Sequence, residues 1–491
     1  MVTRNVSRRR FLKTAGLAGA ALAGGGLLSR LESMAAAAEA GTGEKPNILL
    51  INVDDLGWKD LSCMGSTYYH TPNIDRLAKQ GMLFTNHYAS APVCAPSRAC
   101  MMSGQYSPRH GLYSVWVTNP PPRNEHKVVT PKNRKFAPGI VTIAETLDDA
   151  GYANAHVGKW HIGDEGTGPK AQGFDVNVAG STAGMPKTYF SPYKMKYLKN
   201  GPKGEYLPDR LTDEAIDFMR GGRNRPFFVN MAYYTVHCLA AGRLEAKQET
   251  IDRYKGKKGE GRQCNPTYAA MVEIMDRNVG RLLDELDRLG VADKTLVVFT
   301  SDNGGWGPGT DSAPLRGQKG MLYEGGIRVP LIVRWPGKVK PGAVCDEPVI
   351  NIDFYPTFCE ALGLEPPRNQ PLDGVSLLPL LTGKAETLGR DAIFWHFPAY
   401  TKRWPDNTTL DTPFITRPVG VIRMGDWKLM EFFEEGRLEL YNLREDPGET
   451  KNLASERPEK LRELHERMKK WRKDTNAAVP SEPNPGYAPK G

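Results

Sequence analysis

Four short apolar runs in this 491-residue chain each end in polar side chains of a kind that does chemistry. The run Asn47–Val53 leads into Asp54-Asp55, and Thr295–Ser301 leads into Asp302-Asn303. Two strand ends offering four side-chain oxygens describe a site for a hard cation, most simply Ca²⁺, with Mg²⁺ if the site is tighter. Without an ion such a grouping is costly, since like charges about 4 Å apart repel by roughly 4 kcal/mol at an effective dielectric of 20. Either pair alone reads equally well as turn or cap residues. The run 152–157 reaches Gly158-Lys159-Trp160-His161, and Phe227–Ala232 reaches Tyr233-Tyr234-Thr235-Val236-His237. Histidine titrates near neutrality and suits proton transfer there; surface exposure is the plainer alternative. A separate run, Cys94-Ala95-Pro96-Ser97-Arg98, places a proline in the first turn of a helix, whose free N–H groups favour an anion. Arg98 is placed to neutralise an oxyanion by bidentate contact.

The elements that must position these residues follow from the same runs. Short, apolar, β-branched or aromatic segments alternate with amphipathic ones from Lys45 onward, which indicates an α/β domain with a largely parallel sheet. Ligands in such sheets bind beyond the carboxyl ends of the strands, where all four polar ends fall. Over 268–289, Val272, Met275, Val279, Leu282, Leu286 and Leu289 recur at helical spacing, with Gly290 as a stop. That stripe is core packing. After about Leu364 comes a Pro-rich connection, Glu365-Pro366-Pro367, and then shorter alternating segments. The runs 419–433 and 437–443 read as antiparallel strands joined at Glu435-Gly436, 461–471 as a charged amphipathic helix, and 481–491 as a loose tail.

Continued by Ala99-Cys100-Met101-Met102-Ser103-Gly104, the Cys94 run resembles the signature of type I sulfatases. Gly158-Lys159-Trp160-His161 resembles the second signature of that family, and Gly317-Gln318-Lys319-Gly320 with Tyr323-Glu324-Gly325-Gly326-Ile327-Arg328-Val329-Pro330 resembles its lysine loop. The likeness extends over about 45–453, through Asp353-Phe354-Tyr355-Pro356-Thr357, Glu439-Leu440-Tyr441-Asn442-Leu443 and Asp446-Pro447. Asn154, Leu239 and Ser103 depart from the family pattern, and none removes a catalytic group. The resemblance implies an alkaline-phosphatase-like fold: a large domain (45–365) with a mixed, mostly parallel sheet flanked by helices, and a smaller C-terminal α+β subdomain (366–480) with an antiparallel sheet. It also implies that Cys94 is oxidised by a maturation enzyme to formylglycine, whose hydrate is the nucleophile and joins Asp54, Asp55, Asp302 and Asn303 around the metal. By the same likeness Arg98 and Lys159 hold sulfate oxygens and His161 is the base that lets sulfate leave. His237 binds sulfate and acts as general acid, and Lys319 bridges sulfate and the departing oxygen. Arg316, Arg328 and Arg334 read as structural ion pairs.

With 40% hydrophobic and 25% charged residues the chain is an ordinary globular protein, and it shows no basic helix or RNA-binding aromatic motif. The formal charge of +9 owes much to residues 1–40, which hold six Lys/Arg against two Asp/Glu. Ser7-Arg8-Arg9-Arg10-Phe11-Leu12-Lys13 before an Ala/Gly-rich stretch resembles a twin-arginine (Tat) export signal. It points to a periplasmic or secreted protein with no span in the mature chain. Seven cysteines without C-x-x-C spacing argue against zinc or thioredoxin-like chemistry, and leave disulfides and free thiols equally open. Lysines and aromatics interleave over 187–199 and again at Tyr400-Thr401-Lys402-Arg403-Trp404. Such patches suit a sulfated sugar, and Trp395-His396-Phe397-Pro398 resembles a segment of bacterial glycan sulfatases. The expected activity is therefore hydrolysis of O-sulfated saccharides. The alternatives are a formylglycine-dependent phosphoesterase or phosphonate hydrolase, and a sulfated-glycan binding protein whose Cys94 stays a thiol.

Overall fold

Uninterrupted apolar sequence makes Asn47–Val53, Phe227–Ala232 and Thr295–Ser301 strands that are buried along their whole length. The second run forms the strand Ala153–Gly158, one residue later than its apolar stretch begins. The computed structural model describes residues 45–115, 124–221, 224–402 and 414–488, so the leader over 1–40 and the Arg403-Trp404 pair lie outside the described residues.

The four strands are adjacent and parallel in the middle of an eight-stranded sheet. Val176–Val178 adds a parallel edge beside Ala153–Gly158. On the other side Leu331–Arg334 runs antiparallel to both Thr295–Ser301 and Met82–Phe84, and Ala343–Cys345 closes the row parallel to Met82–Phe84. Helices cover both faces, as a sheet buried on both sides requires. Leu207–Arg220 and Pro266–Arg288 pack one face through Leu211, Ala215, Val279 and Leu282. Ile143–Asp149, Phe354–Ala361 and Cys94–Ser103 pack the other through Ile143, Leu147, Phe358, Ala95 and Ala99. The long helix begins two residues before its apolar stripe because Asn265 caps it, accepting from the N–H groups of Thr267 and Tyr268 at 3.0 Å, with Pro266 in the first turn.

The C-terminal part is a four-stranded antiparallel sheet in the order Ile393–Phe397, Val419–Met424, Trp427–Phe432, Arg437–Asn442. The run 419–433 is thus two strands, not one: Gly425 takes a left-handed φ of +54° and Met424 pairs with Trp427 across the turn. Helix Pro458–Thr475, longer at both ends than its apolar positions indicate, buries Leu464, Met468 and Trp471 against this sheet. Its side chains share one core with Tyr88, Val93, Met321 and Tyr323, the segments beside Cys94 and Lys319. The stretch read as a loose tail is tied down as far as Ala488. Val129 N–H donates to Glu482 O and Ala488 N–H to Asn124 O, both at 2.8 Å, so these residues bond a distant segment of the same chain where Pro and Gly prevent a helix. All seven cysteines are free thiols. Among the described residues no helix is long and apolar enough to cross a membrane.

Candidate active site

Val53 lies opposite Ser301 in the parallel ladder, so the residues that follow the two strands emerge side by side. Asp55 N–H donates to Asp302 Oδ1 at 3.3 Å, and Asn303 Nδ2 donates to Asp55 Oδ1 at 2.8 Å. One carboxylate oxygen from each of Asp54, Asp55 and Asp302 lies within 4.8 Å of the other two, and all four residues are buried. Burial pushes the Asp54 carboxyl well above its ordinary value, with the charges of Asp302 and Asp55 adding to the effect against the pull of Lys159. Burial pushes Asp55 the same way, but His237 and Lys319 outweigh it and hold that carboxyl low. Asp54 Oδ1 and Asn303 Oδ1 are buried without a hydrogen-bond donor. Buried acceptors left bare are costly, and three carboxylates with an amide oxygen are the donor set of a hard cation. The residues fit such an ion. Asp55 and His161 both hold left-handed backbone, φ +62° and +64°, a conformation costing of the order of 1–3 kcal/mol that is kept where the surroundings enforce it.

Cationic side chains ring the acidic group. Lys159 Nζ sits 2.6 Å from Asp54 Oδ2, and Lys319 Nζ 2.6 Å from Asp55 Oδ1. Cys94 is the first residue of a ten-residue helix buried throughout, so its sulfur stands at the positive end of the helix dipole. Arg98 lies one turn on: its Nε donates to Asp302 Oδ2 and its Nη1 to the Lys159 carbonyl, each at 2.7 Å, while Nη2 has no hydrogen-bond partner. Burial raises the Cys94 thiol, but Lys159 and Lys319 overcome this and bring it down to about 6. A carboxylate oxygen of Asp54, the Cys94 sulfur and a ring nitrogen of His237 lie within 4.8 Å of one another. His237 Nδ1 donates to the Cys238 carbonyl, which leaves Nε2 facing Asp55 Oδ2 at 3.6 Å. Burial, with the charges of Lys159 and Arg98, holds His161 well below the usual histidine range, and its Nδ1 has no partner. Its backbone is set by a 2.8 Å bond from its N–H to Ser181 O. All ten side chains singled out from the sequence therefore converge at the carboxyl ends of the central strands.

Other groups hold these in place and carry no signal in the sequence. Tyr189, expected from the sequence to belong to a sugar-stacking patch, is wholly buried, and its hydroxyl donates to the carbonyls of Tyr234 and His237 at 2.7 and 2.8 Å. Tyr193 is buried as well, so of that segment's tyrosines only Tyr197, half exposed, presents its ring to solvent. Tyr400 stacks on His126 and donates to Glu434. Asp60, also buried, accepts from Gly57 N–H, Tyr268 hydroxyl and Thr310 hydroxyl, joining the loop after Asp55 to the loop before Lys319.

Three buried cations, a Cys94 sulfur of lowered pKa and two imidazoles beside a set of hard-cation donors have the chemistry to hold a small anion. The sulfatase family model matches residues 46–364, and the model for the C-terminal region of N-sulphoglucosamine sulphohydrolase matches 317–474. A sulfatase of Formosa agariphila is 35% identical, covering 84% of this chain and 85% of its own. Human N-acetylgalactosamine-6-sulfatase is 33% identical, covering 74% of each chain. The crystal structure of Ps i-CgsB in complex with k-i-k-neocarrahexaose superposes with a TM-score of 0.73 at 30% identity, covering 89% of this chain and 95% of that one. Likeness of this extent, over both the strand-end chemistry and the antiparallel sheet behind it, makes the chain a member of the sulfatase family, the hydrolases of sulfuric esters.

Proposed function

We propose that this sulfatase is exported and removes O-sulfate from saccharides, using formylglycine made from Cys94 and a divalent cation, Ca²⁺ before Mg²⁺, held by Asp54, Asp55, Asp302 and Asn303. The observation that carries the reading is the meeting of the Cys94 sulfur with Asp54 and His237 inside 4.8 Å, in a buried cluster whose charge Lys159, Arg98 and Lys319 balance. When present, the modified residue supplies a hydroxyl nucleophile and the cation polarises the sulfuryl oxygens. Lys159, Arg98 and Lys319 neutralise the charge that develops on those oxygens, which is worth most in a water-excluded site. Burial lowers the His237 ring from its ordinary value and Asp55, 3.6 Å from Nε2, opposes that; in the charged form that Asp55 supports, Nε2 hands its proton to the departing sugar oxygen. His161 is neutral and has a bare Nδ1, so it takes the proton whose removal lets sulfate leave.

The saccharide assignment draws support from the relatives, since N-acetylgalactosamine-6-sulfatase is named for a sugar sulfate and Ps i-CgsB was crystallised with k-i-k-neocarrahexaose. Exposed Tyr197, its hydroxyl donating at 2.9 Å to Asp164, three residues after His161, and with Lys196 on the same carboxylate at 2.7 Å, offers one aromatic face beside positive charge. A galactose or galactosamine sulfate is the expected unit. The division into a leader over 1–40, a catalytic domain over 45–365 and a C-terminal subdomain over 366–480 belongs to this proposal, as do the maturation enzyme and Tat export. Replacing Arg8 and Arg9 with lysine should leave the protein in the cytosol; undiminished export would dismiss the Tat route.

The deciding experiment pairs mass spectrometry of the Cys94 peptide with release of sulfate from defined sulfated sugars. An aldehyde at position 94, turnover lost in Cys94→Ala, and higher kcat/KM on sugar sulfates than on nitrophenyl sulfate are expected. Full activity from protein whose Cys94 is entirely thiol would remove the mechanism. Faster turnover of a matched phosphate or phosphonate ester would replace the sulfate assignment.

A further inference from the structure

Glu324, Lys428 and Glu449 come from three stretches that the chemistry above leaves idle: the run after Lys319, the strand Trp427–Phe432 and the loop after Asp446-Pro447. All three are wholly buried. Lys428 Nζ stands 2.9 Å from Glu324 Oε1 and 2.8 Å from Glu449 Oε1. Glu449 Oε2 accepts the backbone N–H of Glu324 at 2.7 Å, and Glu324 Oε2 accepts the Tyr88 hydroxyl at 2.6 Å with Arg328 at 3.7 Å. Arg423, from the same C-terminal sheet as Lys428, meets that tyrosine hydroxyl. Two carboxylates thus share one ammonium out of water. Desolvation cancels much of the attraction in such clusters, so they are poor sources of stability and are better explained by the geometry they enforce.

What this cluster holds is the short turn Glu324–Ile327, and that turn is pressed backbone to backbone against both cationic and metal-facing parts of the site. Gly304, which follows Asn303, donates its N–H to Gly326 O at 3.0 Å. A Cβ on Gly304 would lie 2.2 Å from Gly325 O. On the other side, a Cβ on Gly326 would lie 2.5 Å from the carbonyl of Gln318, the residue before Lys319. Gly325 N–H donates to Arg316 O at 2.7 Å, closing the loop that carries Lys319. There is no slack between the turn and either neighbour.

We propose that Lys428 is a positioning residue of the active centre: from the C-terminal sheet it clamps Glu324 and Glu449, and through the turn Glu324–Ile327 it sets Asn303 and Lys319. The clamp rests on the cation-dependent reading given above, so cation affinity, turnover and backbone exchange are read separately. Lys428→Met combined with Glu449→Gln removes the ammonium without leaving two carboxylates face to face. Glu449→Gln alone keeps the Lys428–Glu324 pair and is the milder change. For the double variant, calorimetric titration of Ca²⁺ into chelator-stripped protein should give a dissociation constant about 10- to 100-fold higher than the parent's, the usual cost of losing groups behind metal ligands. Glu449→Gln should move the same way by less, and Lys428→Arg, which still spans both carboxylates, should retain most of the affinity. Unchanged affinity and kcat in a folded double variant overturn the proposal. If the double variant does not fold, unchanged affinity in Glu449→Gln overturns it alone. A parent that binds neither Ca²⁺ nor Mg²⁺ would refute the proposed function instead. The clamp is then judged by hydrogen exchange at the N–H groups of Gly304 and Gly325, which must quicken in Glu449→Gln.

Discussion

Each charged side chain of the candidate site is matched to a neighbour. Lys159 is matched to Asp54 and Lys319 to Asp55, so removing one acid unbalances a lysine as well as a cation ligand. Asp54→Ala and Asp302→Ala should therefore lose bound divalent metal and activity together; elemental analysis with full metal content in both would refute the ligand assignment. His161→Ala and His237→Ala should keep their metal and lose about 10²- to 10⁴-fold in kcat, as for removal of a general acid or base. That ten such side chains gather in one place was legible in the sequence, because each follows an apolar run or lies in a tight motif; the roles proposed for them await the tests above. What was not legible is the role of Tyr189, which looks like a rim aromatic and instead orients the His237 backbone from within the core. A hydroxyl reaching a carbonyl 48 residues away leaves no local pattern.

At the scale of elements, the strand ends do the positioning, and Gly158 is the point of least tolerance. It has φ +107°, and a Cβ there would lie 1.9 Å from the Ala232 carbonyl, in the adjacent strand. The next residue, Lys159, donates its N–H to the same carbonyl at 2.7 Å. Gly158→Ala should therefore cost at least about 1–3 kcal/mol from backbone strain alone, and displace Lys159 from Asp54. Thermal unfolding and kcat together test this; a variant with parental values of both would show that the strand end can shift. Three of the four strand spans were readable to the residue because their apolar runs have sharp ends. The run 419–433 was not, since Gly425 turns the chain inside an otherwise continuous strand-like pattern. Nor did the composition of 482–488 reveal the bonds that hold it to 124–129, which depend on a distant partner.

Across the whole molecule, the buried ionic cluster makes stability depend on pH in two opposite senses. Burial and the Glu324 charge raise Glu449 from 4.5 to about 7 against the pull of Lys428, so below that pH the folded protein keeps a proton that the unfolded chain has released, and both carboxylates face Lys428 charged only above it. That contribution is complete below pH ~4.5 and disappears as pH rises through about 7. Glu324 is lowered to about 2, because Lys428 and Arg328 outweigh its burial, and its contribution is present above pH ~4.5 and disappears as pH falls toward 2. Calorimetric Tm should accordingly fall less between about pH 5 and pH 8 in Glu449→Gln than in the parent. Equal slopes would place the alkaline loss elsewhere.

The burial of Cys94 also sets an order of events in time. Its side chain is 2% exposed, at the head of a helix in which every residue is buried. A second enzyme cannot grip that stretch once the sheet has closed over it. If Cys94 is converted as proposed, conversion must come while the chain is still open, before folding and before the proposed export of folded protein. Under that proposal a molecule that folds first stays inactive, whatever enzyme it meets later. Adding the maturation enzyme to thiol-containing protein should yield aldehyde at position 94 only when the substrate is unfolded, and conversion of the native form at a similar rate would show that the helix opens.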